Sequence, residues 1–525
     1  MPNVSAPHRV PVCAISLMLT LSPVAVFAQA PGFAPEETSI AAVHAAMRSG
    51  AITCRSLVSM FLRRIEAYDK NGPAINAIIT LNPAALATAD SLDRRYAREG
   101  LTGPLHCIPM IVKDNFETLD LPTSAGNLAL STWRPSRDAT MVRRVREAGA
   151  IVLAKSNMAE LAFSPYETVS SALPGYTKNP YALDRVTAGS SGGTAAAVAS
   201  SFGVVGLGTD TGNSIRGPSS HQALVGIRST MGLTSRMGVV PLVSSSDIAG
   251  PMARSVADAA AVFQVVAGED ASDPVTTASH DRPVPRYADS LRAEGLKGAR
   301  IGIVHLAYDS PSLDGEIKEL FARALADMTR QGAVIVDPLV IPGLDSLRRL
   351  PSSGSCFPFR ADFEGYLTSV ASSNPPVRTV ADILKSGRFH PSVQGRLEAA
   401  RVDTVPPAAN PACQARERFR EQVRVLVRQA MDAQHIDALA YPTWSNPPRL
   451  IGDLNSPAGD NSQFFSPTTG FPAITVPMGY TRGVLPSGLQ LFARPFGEGT
   501  LFRLAYAYEQ ATHHRRPPAS VPPLR

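Results

Sequence analysis

Patterns that mark metal and nucleotide sites are missing from this chain of 525 residues. The cysteines stand at spacings that match no zinc site, and no HExxH pair occurs. No lysine follows a glycine-rich segment at the spacing of a phosphate-binding loop. A metal centre or a nucleotide site therefore has little support, and we expect a protein that works without metal or cofactor.

A concentrated basic region is also missing, although the formal net charge is +6. The excess charge comes from scattered arginines, and no basic cluster is interleaved with aromatic residues or matches an RNA-binding signature. A solvated basic surface explains this charge, so we expect no nucleic-acid partner. No pattern in the sequence determines the oligomeric state.

Apolar runs long enough to cross a membrane are absent after residue 30. Residues 1–28 combine basic residues, an apolar stretch and small residues of the kind that signal peptidase cleaves. Pro23 and the shortness of the apolar run argue against the alternative, an uncleaved membrane anchor. We expect a signal peptide cleaved after Ala28, or alternatively after Ala30. The mature protein would then be exported, periplasmic or secreted, without stable membrane association.

The expected export changes how the cysteines are interpreted. Cys13 leaves with the signal peptide, whereas Cys356 and Cys413 both lie in proline-rich, loop-like sequence. In an oxidising compartment these two cysteines could form a disulfide. Free buried thiols are equally compatible with the sequence, because no spacing rule decides between the two states.

Helical and strand patterns alternate along the chain. Residues 39–50 and 53–72 each begin with a capping residue, continue with helical apolar spacing and end with glycine. Apolar runs at residues 106–116 and 151–155 predict short strands. This alternation favours an α/β fold whose central sheet is covered by helices on both faces.

We expect one domain over residues 31–517. Within it, residues 343–412 are rich in Pro, Ser and Arg and have poor periodicity, which predicts loops and short helices that form a lid over a pocket. We expect further pocket walls from residues 163–166 and 441–446. The proline-rich residues 518–525 predict a mobile tail.

Two clusters of serine and glycine flank a run of small residues in the middle of the chain. GSSGG occupies residues 189–193, and TGNS occupies residues 211–214. The alanine-rich sequence after the first cluster predicts a helix, and residues 204–210 predict a buried strand that ends in a tight turn. Hydroxyl groups and free backbone N–H groups at the ends of such elements are typical of a catalytic site.

The first cluster also matches the GxSxG pattern of the α/β-hydrolases. That pattern requires an apolar strand directly before the serine. Residues 178–188 are polar here and are interrupted by a proline, so we interpret the match as accidental.

Lys113 ends the apolar run that begins near residue 106. Burial disfavours the charged form of a lysine and lowers its pKa, and a neutral lysine is a competent general base for a hydroxyl. The alternative is a structural lysine whose charge is paired with Asp114 or with another acid. The residues by themselves leave both interpretations open.

Four motifs in this order resemble the amidase signature family. They are IPMIVKDN at residues 108–115, LPTSAGN at 121–127, AGSSGGTAAAVAS at 188–200 and TDTGNSIRGPS at 209–219. The resemblance covers residues 36–517 and is weakest between about 270 and 410. It implies a three-layer α/β/α sandwich around a large mixed β-sheet.

The resemblance also implies a Ser–cis-Ser–Lys triad. Ser214 would be the nucleophile, Ser190 the bridging serine after a cis peptide bond, and Lys113 the general base. The backbone N–H groups of Thr211, Gly212, Asn213 and Ser214 would form the oxyanion hole. The family commonly has glycine where this chain has Asn213, and the tolerance of asparagine for positive φ would let the turn keep its shape.

Four further polar residues are expected to orient this site rather than to make or break bonds. They are Ser191, Thr209, Asp210 and Arg216. Asp210 and Arg216 could form a buried pair that braces the turn.

The function that the resemblance implies is hydrolysis of a carboxamide C–N bond in a small-molecule amide, through an acyl-enzyme on Ser214. Carbamate or ester hydrolysis on the same triad is an alternative. A second alternative is an amidotransferase subunit that supplies ammonia for aminoacyl-tRNA, against which the expected signal peptide argues. A non-catalytic binding protein of the same fold is less compatible, since all three triad residues are present.

Overall fold

An eleven-stranded mixed β-sheet forms the centre of this protein, whose structure is a computed structural model. The structure describes Asn3, residues 33–349 and residues 356–524. Ala34–Arg525 cluster into one compact unit. The signal peptide expected at residues 1–28 lies, apart from Asn3, outside the described residues.

The strands are short and are numbered in chain order. They are β1 (Ile78–Leu81), β2 (Pro109–Lys113), β3 (Ile151–Ser156), β4 (Val205–Asp210), β5 (Val225–Arg228), β6 (Ile248–Ala253), β7 (Arg300–Ile303), β8 (Val334–Val336), β9 (Ala438–Pro442), β10 (Ala473–Thr481) and β11 (Leu485–Phe492). The strands predicted around residues 106–116, 151–155 and 204–210 are confirmed as β2, β3 and β4.

The order of strands in the sheet is β1-β3-β2-β4-β6-β5-β10-β11-β9-β7-β8. β3, β2 and β4 are parallel neighbours, as are β9, β7 and β8, whereas the remaining pairs are antiparallel. Val112 of β2 pairs with Leu207 of β4. Because parallel strands end at the same edge of a sheet, Lys113 and Asp210 are brought to one edge.

Helices cover the sheet. They are α1 (Ile40–Arg48), α2 (Cys54–Ile65), α3 (Ala85–Glu99), α4 (Thr140–Glu147), α5 (Gly192–Ala199), α6 (Arg216–His221), α7 (Val256–Val266), α8 (Gly315–Arg330), α9 (Leu344–Arg348), α10 (Phe359–Ser369), α11 (Val380–Ser386), α12 (Gln394–Val402), α13 (Pro411–Ala433), α14 (Ser466–Thr469) and α15 (Glu498–Thr512). None of the described helices is both long and apolar enough to cross a membrane.

The helices form two groups against the sheet. α4, α7, α15 and α8 contact one another in this order, and α5 packs with α6 over the central strands. The expected α/β/α layering around a large mixed sheet is thus confirmed. All eight residues of α5 are buried, because its small side chains let the helix lie close to the strands.

The N-terminal helices follow from local sequence signals. The side chain of Ser39 caps α1 by accepting from Ala42 N, and Thr53 forms a capping box with Ser56 at the start of α2. α2 ends at Ile65 and continues as a π-helical segment, Glu66–Lys70, rather than as the α-helix predicted to residue 72. The chain leaves the α-helix here because the carboxylate of Asp69 accepts from the backbone at the start of β1.

Two disulfides join distant parts of the described chain. Cys54 at the start of α2 is bonded to Cys107 before β2, with a Cα–Cα distance of 5.5 Å. Cys356 is bonded to Cys413, with a Cα–Cα distance of 4.8 Å, so the pairing that the sequence left open is formed. The Cys54–Cys107 bond has no local signal in the sequence, because its two cysteines are 53 residues apart and only the tertiary fold brings them together.

The helices α10, α11 and α12 pack on the chain around Trp133 and Phe163. Their apolar side chains form one buried cluster with residues 125–163, to which they contribute Phe359, Phe363, Leu367, Val380, Ile383, Leu397 and Ala400. This cluster and the Cys356–Cys413 bond hold the segment against the main body.

The C-terminal end contacts the N-terminal helices. The buried guanidinium of Arg64 donates to Val521 O at 3.0 Å and to Pro522 O at 3.1 Å, as well as to the carbonyls of Ser200 and Ser201. Residues 518–525, for which we expect a mobile tail, therefore carry anchoring contacts that the proline-rich sequence did not indicate.

Gly193 in the first turn of α5 is a point of close backbone approach. A Cβ atom at this position would lie 2.1 Å from Asn157 O and 2.7 Å from Asn157 C, directly after β3. We expect Gly193→Ala to destabilise the protein by about 3 kcal/mol and to lower Tm by roughly 5 °C, because the helix must move away from the strand. Thermal unfolding followed by circular dichroism measures the change.

The matched control is Gly365→Ala within α10, where a Cβ atom would meet nothing within 4 Å. Alanine is the better helix former, so this variant should be neutral or more stable by about 0.5–1 kcal/mol. Equal Tm values for Gly193→Ala and the wild type would contradict the close approach.

Candidate active site

Lys113 is fully buried at the carboxyl end of β2. Its Nζ atom donates to Ser190 Oγ at 2.7 Å and to Thr209 Oγ1 at 2.7 Å. Within the described part of the chain Lys113 forms no ion pair. Asp114, the acid with which it could have paired, lies 3.4 Å from Lys155 and accepts from Ser124 instead.

The environment of Lys113 lowers its pKa to about 7. Burial is the main cause, because it removes the ammonium group from water, while the negative charges of Asp210 and Asp247 offset part of this effect. An amine with this pKa is largely neutral above neutral pH. Lys113 can therefore accept a proton from the hydroxyl that it contacts.

Ser190 lies between Lys113 and the start of α5. The peptide bond between Gly189 and Ser190 is cis. Gly189 donates to Pro165 O at 3.1 Å, and a Cβ atom on Gly189 would lie 2.3 Å from Ser164 O. A side chain at position 189 has no room, so the glycine is what allows the backbone of residues 164–167 to approach Ser190.

Ser191 and Thr209 join the two sides of the site. Ser191 Oγ donates to Thr209 O at 3.1 Å, and Thr209 Oγ1 accepts from Lys113 and from Asn115 Nδ2 at 3.1 Å. Thr209 therefore contacts the amine directly, whereas Ser191 contacts the backbone of Thr209. Asn115 was not predicted, although it lies two residues after Lys113 in the same motif.

Ser214 follows the turn after β4. Its hydroxyl donates to Asn213 Oδ1 at 3.3 Å, and Ser214 O accepts from Ser191 N at 3.3 Å. In the described structure the Ser214 hydroxyl makes no hydrogen bond to Ser190. The structure thus brings Lys113 into contact with Ser190 and places Ser214 beside the same turn, with its hydroxyl directed at Asn213.

The turn at residues 211–214 presents free backbone donors. Among the described residues, the N–H groups of Thr211, Gly212, Asn213 and Ser214 make no hydrogen bond. Asn213 has no positive φ, so it does not use the tolerance expected of it. Its side chain instead donates to Pro165 O at 3.2 Å. Four unpaired N–H groups beside a serine hydroxyl can receive an oxygen that gains negative charge.

A buried cluster of one aspartate and two arginines holds the turn at residues 211–214 in place. Asp210 forms ion pairs at 3.1 Å with both Arg216 and Arg228. Burial alone would raise the pKa of Asp210, but the two arginines lower it to about 2. Arg216 also donates to Gly212 O at 2.7 Å. The expected Asp210–Arg216 pair is present, and Arg228 is a third member that the sequence did not indicate.

Asp247 is a second carboxylate beside the turn that the sequence analysis missed. It accepts from Thr211 Oγ1 at 2.6 Å and from the N–H groups of Leu242 and Val243. Burial raises its pKa to about 6. A signal was present, since an acid directly before the apolar strand β6 is unusual, but nothing local connected it with Thr211.

A cavity of about 410 Å³ opens from the turn. Its walls are formed by Ala162, Phe163, Pro165, Thr211, Gly212, Asn213, Ser214, Leu242, Val243, Ser246, Phe357, Arg396, Arg416, Phe419, Arg420, Gln463, Pro467 and Thr468. Phe357 and Arg396 come from the segment 343–412, and Phe163 and Pro165 come from 163–166, as expected. Residues 441–446, which were expected to line it, do not; Trp444 instead stacks on His221 and donates to Gly217 O, both in α6.

Groups that could hold a metal ion are not found in the described residues. No three side chains of His, Cys, Asp or Glu lie close enough together to ligate one. The polar groups that converge on the cavity are hydroxyls, amides, guanidinium groups and backbone N–H groups. Such a set suits attack on a carbonyl carbon by a serine, with the developing charge on oxygen received by N–H donors.

Comparisons with known proteins agree with this chemistry. A family model described as Amidase matches residues 56–502. The solved structure of a peptide amidase from Stenotrophomonas maltophilia has a TM-score of 0.82 and 37% identity, and covers 92% of this chain and 98% of that one.

The proteins related to this chain in sequence include both a probable amidase and an amidotransferase subunit. A probable amidase of Arabidopsis thaliana is 33% identical over 507 residues, with 93% of both chains covered. A glutamyl-tRNA(Gln) amidotransferase subunit of Moorella thermoacetica is 35% identical over 490 residues, covering 90% of this chain and 96% of that one. Since the family model and these relatives span nearly the whole chain, the protein is an amide-hydrolysing enzyme that belongs to the amidase signature family.

Proposed function

We propose that this enzyme is an exported amidase that hydrolyses small-molecule carboxamides through an acyl-enzyme on Ser214. In this proposal Ser190 is the bridging serine and Lys113 is the general base. The observation that supports it best is the 2.7 Å contact between Lys113 Nζ and Ser190 Oγ, made by a buried amine whose pKa is about 7. The similarity to a peptide amidase favours a carboxamide over the carbamates and esters that the same residues could attack.

The first half of the reaction forms the acyl-enzyme. The Ser214 hydroxyl turns from Asn213 towards Ser190 and attacks the carbonyl carbon of the substrate. Its proton passes to Ser190, and the Ser190 proton passes to the neutral amine of Lys113. The N–H groups of the 211–214 turn stabilise the oxyanion of the tetrahedral intermediate.

The second half returns the enzyme to its starting state. The C–N bond breaks as Ser190 donates a proton to the leaving nitrogen and recovers one from Lys113. Water then attacks the ester carbonyl, losing its proton through Ser190 to Lys113, and the carboxylic acid leaves as the Ser214 oxygen is reprotonated. Thr211, Gly212 and Asn213 keep their N–H groups directed at the oxyanion, because Asp210, Arg216 and Asp247 anchor the turn.

Export is part of the proposal, and the cysteines support it. All four cysteines of the described chain are joined in disulfides. Such bonds form and persist in oxidising compartments and are rare inside cells. Export also argues against a role like that of the glutamyl-tRNA(Gln) amidotransferase subunits among the relatives and favours the hydrolysis of small amides.

Replacement of the nucleophile tests the chemical assignment. We expect Ser214→Ala to lower kcat by about ten-thousand-fold and to abolish the acyl-enzyme adduct, because no other group can form the ester. Stopped reactions analysed by intact-protein mass spectrometry measure the adduct. Ser246→Ala, which removes a different hydroxyl from the same cavity, is the control and should stay within about threefold of the wild type. Full turnover by Ser214→Ala would disprove the assignment.

The pH dependence tests the role of Lys113. Since the neutral amine is the active form and its pKa is about 7, kcat/KM should fall about tenfold for each pH unit below 7 and level off above about pH 8. Initial rates between pH 5 and 9 measure this profile. A flat profile from pH 6 to 9, with chemistry rate-limiting, would contradict the role.

Asp247 provides a second test of the same profile. Its negative charge raises the pKa of Lys113, so Asp247→Asn should move the midpoint of kcat/KM to lower pH. Asp247 itself titrates with a pKa of about 6, and the variant removes that contribution as well. A midpoint that moves to higher pH would contradict the assigned base.

The N-terminus of the protein tests export. We expect the full chain, produced in a bacterial host, to be recovered from the periplasm or the medium with Gln29 or Pro31 as its first residue. Thiol titration of the denatured protein should find no free cysteine, in agreement with the two disulfides. A chain starting at residue 29 is the control and should stay inside the cell. Recovery of the uncleaved chain in the membrane fraction would overturn the proposal.

A further inference from the structure

The cavity beside Ser214 is positively charged. Three of its lining residues are arginines, Arg396, Arg416 and Arg420, and no Asp or Glu lines it. The remaining walls are largely apolar and include the rings of Phe163 and Phe357. Binding of a neutral amide requires no such excess of positive charge on the cavity wall.

Two of these arginines have structural partners. Arg420 donates to Thr468 O at 3.0 Å and to Ser245 O at 3.0 Å, and it shares the carboxylate of Glu417 with Arg416. One carboxylate therefore serves two guanidinium groups. These contacts hold α13 against α14 and against the loop that contains Ser245, and they keep Arg416 and Arg420 in place.

Arg396 is different, because it has no such partner. It projects from α12, and its Cζ atom lies 6.0 Å from the centre of the Phe163 ring. Among the described residues it forms no ion pair and no hydrogen bond. The undescribed segment 350–355 contains no acidic residue that could supply one. Arg396 is exposed, so its guanidinium group lies at the cavity wall in contact with solvent and is not committed to a protein acceptor among the described residues.

We propose that the amide substrates of this enzyme carry an anionic group, a carboxylate in the first instance, and that Arg396 binds it. This inference rests on the proposed function, since it concerns the substrate of the same site. The amide carbonyl reaches Ser214, the apolar part of the substrate packs against the paired rings of Phe163 and Phe357, and the carboxylate meets Arg396. The planar guanidinium group can donate two parallel hydrogen bonds to a carboxylate.

The position of Arg396 makes it a specificity residue rather than part of the chemistry. It lies on the helical segment that covers the site, and not on the sheet that carries Lys113. Its loss should therefore weaken binding of anionic substrates and leave the catalytic steps intact. Arg416 and Arg420 add to the positive potential but are already held by Glu417 and by backbone carbonyls.

Matched pairs of amides measure the preference. 3-(4-Carboxyphenyl)propanamide and 3-(4-methylphenyl)propanamide place the carboxylate or a methyl group on the acyl side. 4-Acetamidobenzoate and N-(4-methylphenyl)acetamide place them on the leaving side. We expect wild-type kcat/KM to be about tenfold higher for the anionic member of at least one pair, the size of a charge-assisted hydrogen bond. The advantage should shrink with added salt.

Substitutions of Arg396 test whether this residue causes the preference for anionic amides. Arg396→Ala should raise KM for the anionic amide about tenfold and leave its kcat, and both constants of the neutral amide, within twofold. Arg396→Lys keeps the charge without the planar fork and should be intermediate. Arg401→Ala removes an exposed arginine from the same helix that does not line the cavity, and it should match the wild type.

Binding to Ser214→Ala separates this inference from the proposed function. Calorimetry on this variant, with and without Arg396→Ala, measures affinity for both members of each pair without hydrolysis. If no amide is hydrolysed by the wild type but the anionic members still bind more tightly through Arg396, the proposed function fails while the anion-binding role of Arg396 is retained. Equal affinity for anionic and neutral members, or an equal loss of both in Arg396→Ala, would overturn the inference.

Discussion

A buried amine without a counter-ion is the constraint on which the site depends. Lys113 ends a fully buried strand, and an isolated ammonium group there would lose several kcal/mol of hydration free energy. The fold surrounds it with hydroxyl acceptors instead of carboxylates, and the nearest acid in sequence, Asp114, is occupied by Lys155 and Ser124. The amine is therefore held close to its neutral form at neutral pH.

Other buried charged side chains near Lys113 do form ion pairs. Asp210 ends the neighbouring parallel strand, and its pairs with Arg216 and Arg228 hold the turn that carries Ser214. Because the carbonyl of Gly212 is also held by Arg216, the N–H groups of the turn remain free on the side of the cavity. Preorganised donors of this kind need no rearrangement when negative charge develops.

The proposed catalytic residues and the proposed substrate-binding arginine lie on different parts of the chain. Lys113 ends β2, Ser190 precedes α5 and Ser214 follows β4, whereas the outer wall of the cavity comes from the helical segment around α12 and from α13. The Cys356–Cys413 bond joins these two outer parts beside the cavity. Because the outer wall is separate from the sheet, changes in that wall can alter which amide binds without altering the geometry of the proposed catalytic residues.

The elements that hold the site could be predicted from local patterns. Helix α5 follows from its alanines, and strands β2 and β4 follow from short apolar runs, because such signals depend on neighbouring residues alone. The family resemblance of four motifs then named Lys113, Ser190 and Ser214. It did not indicate Arg228 and Asp247, which contact the turn residues only in the folded chain, or Arg396, which only the fold brings to the cavity wall.

The assembly of the site depends on tertiary structure, because the residues that meet there are far apart in the sequence. Lys113 and Ser190 are 77 residues apart, and Asp210 and Arg228 are 18 apart. The order of strands brings them together, and no local pattern encodes that order. The same holds for the protonation of Lys113: the sequence placed a lysine at the end of an apolar strand, but only the packing around it, with Asp114 turned away, determined that its charge is unpaired and its pKa low.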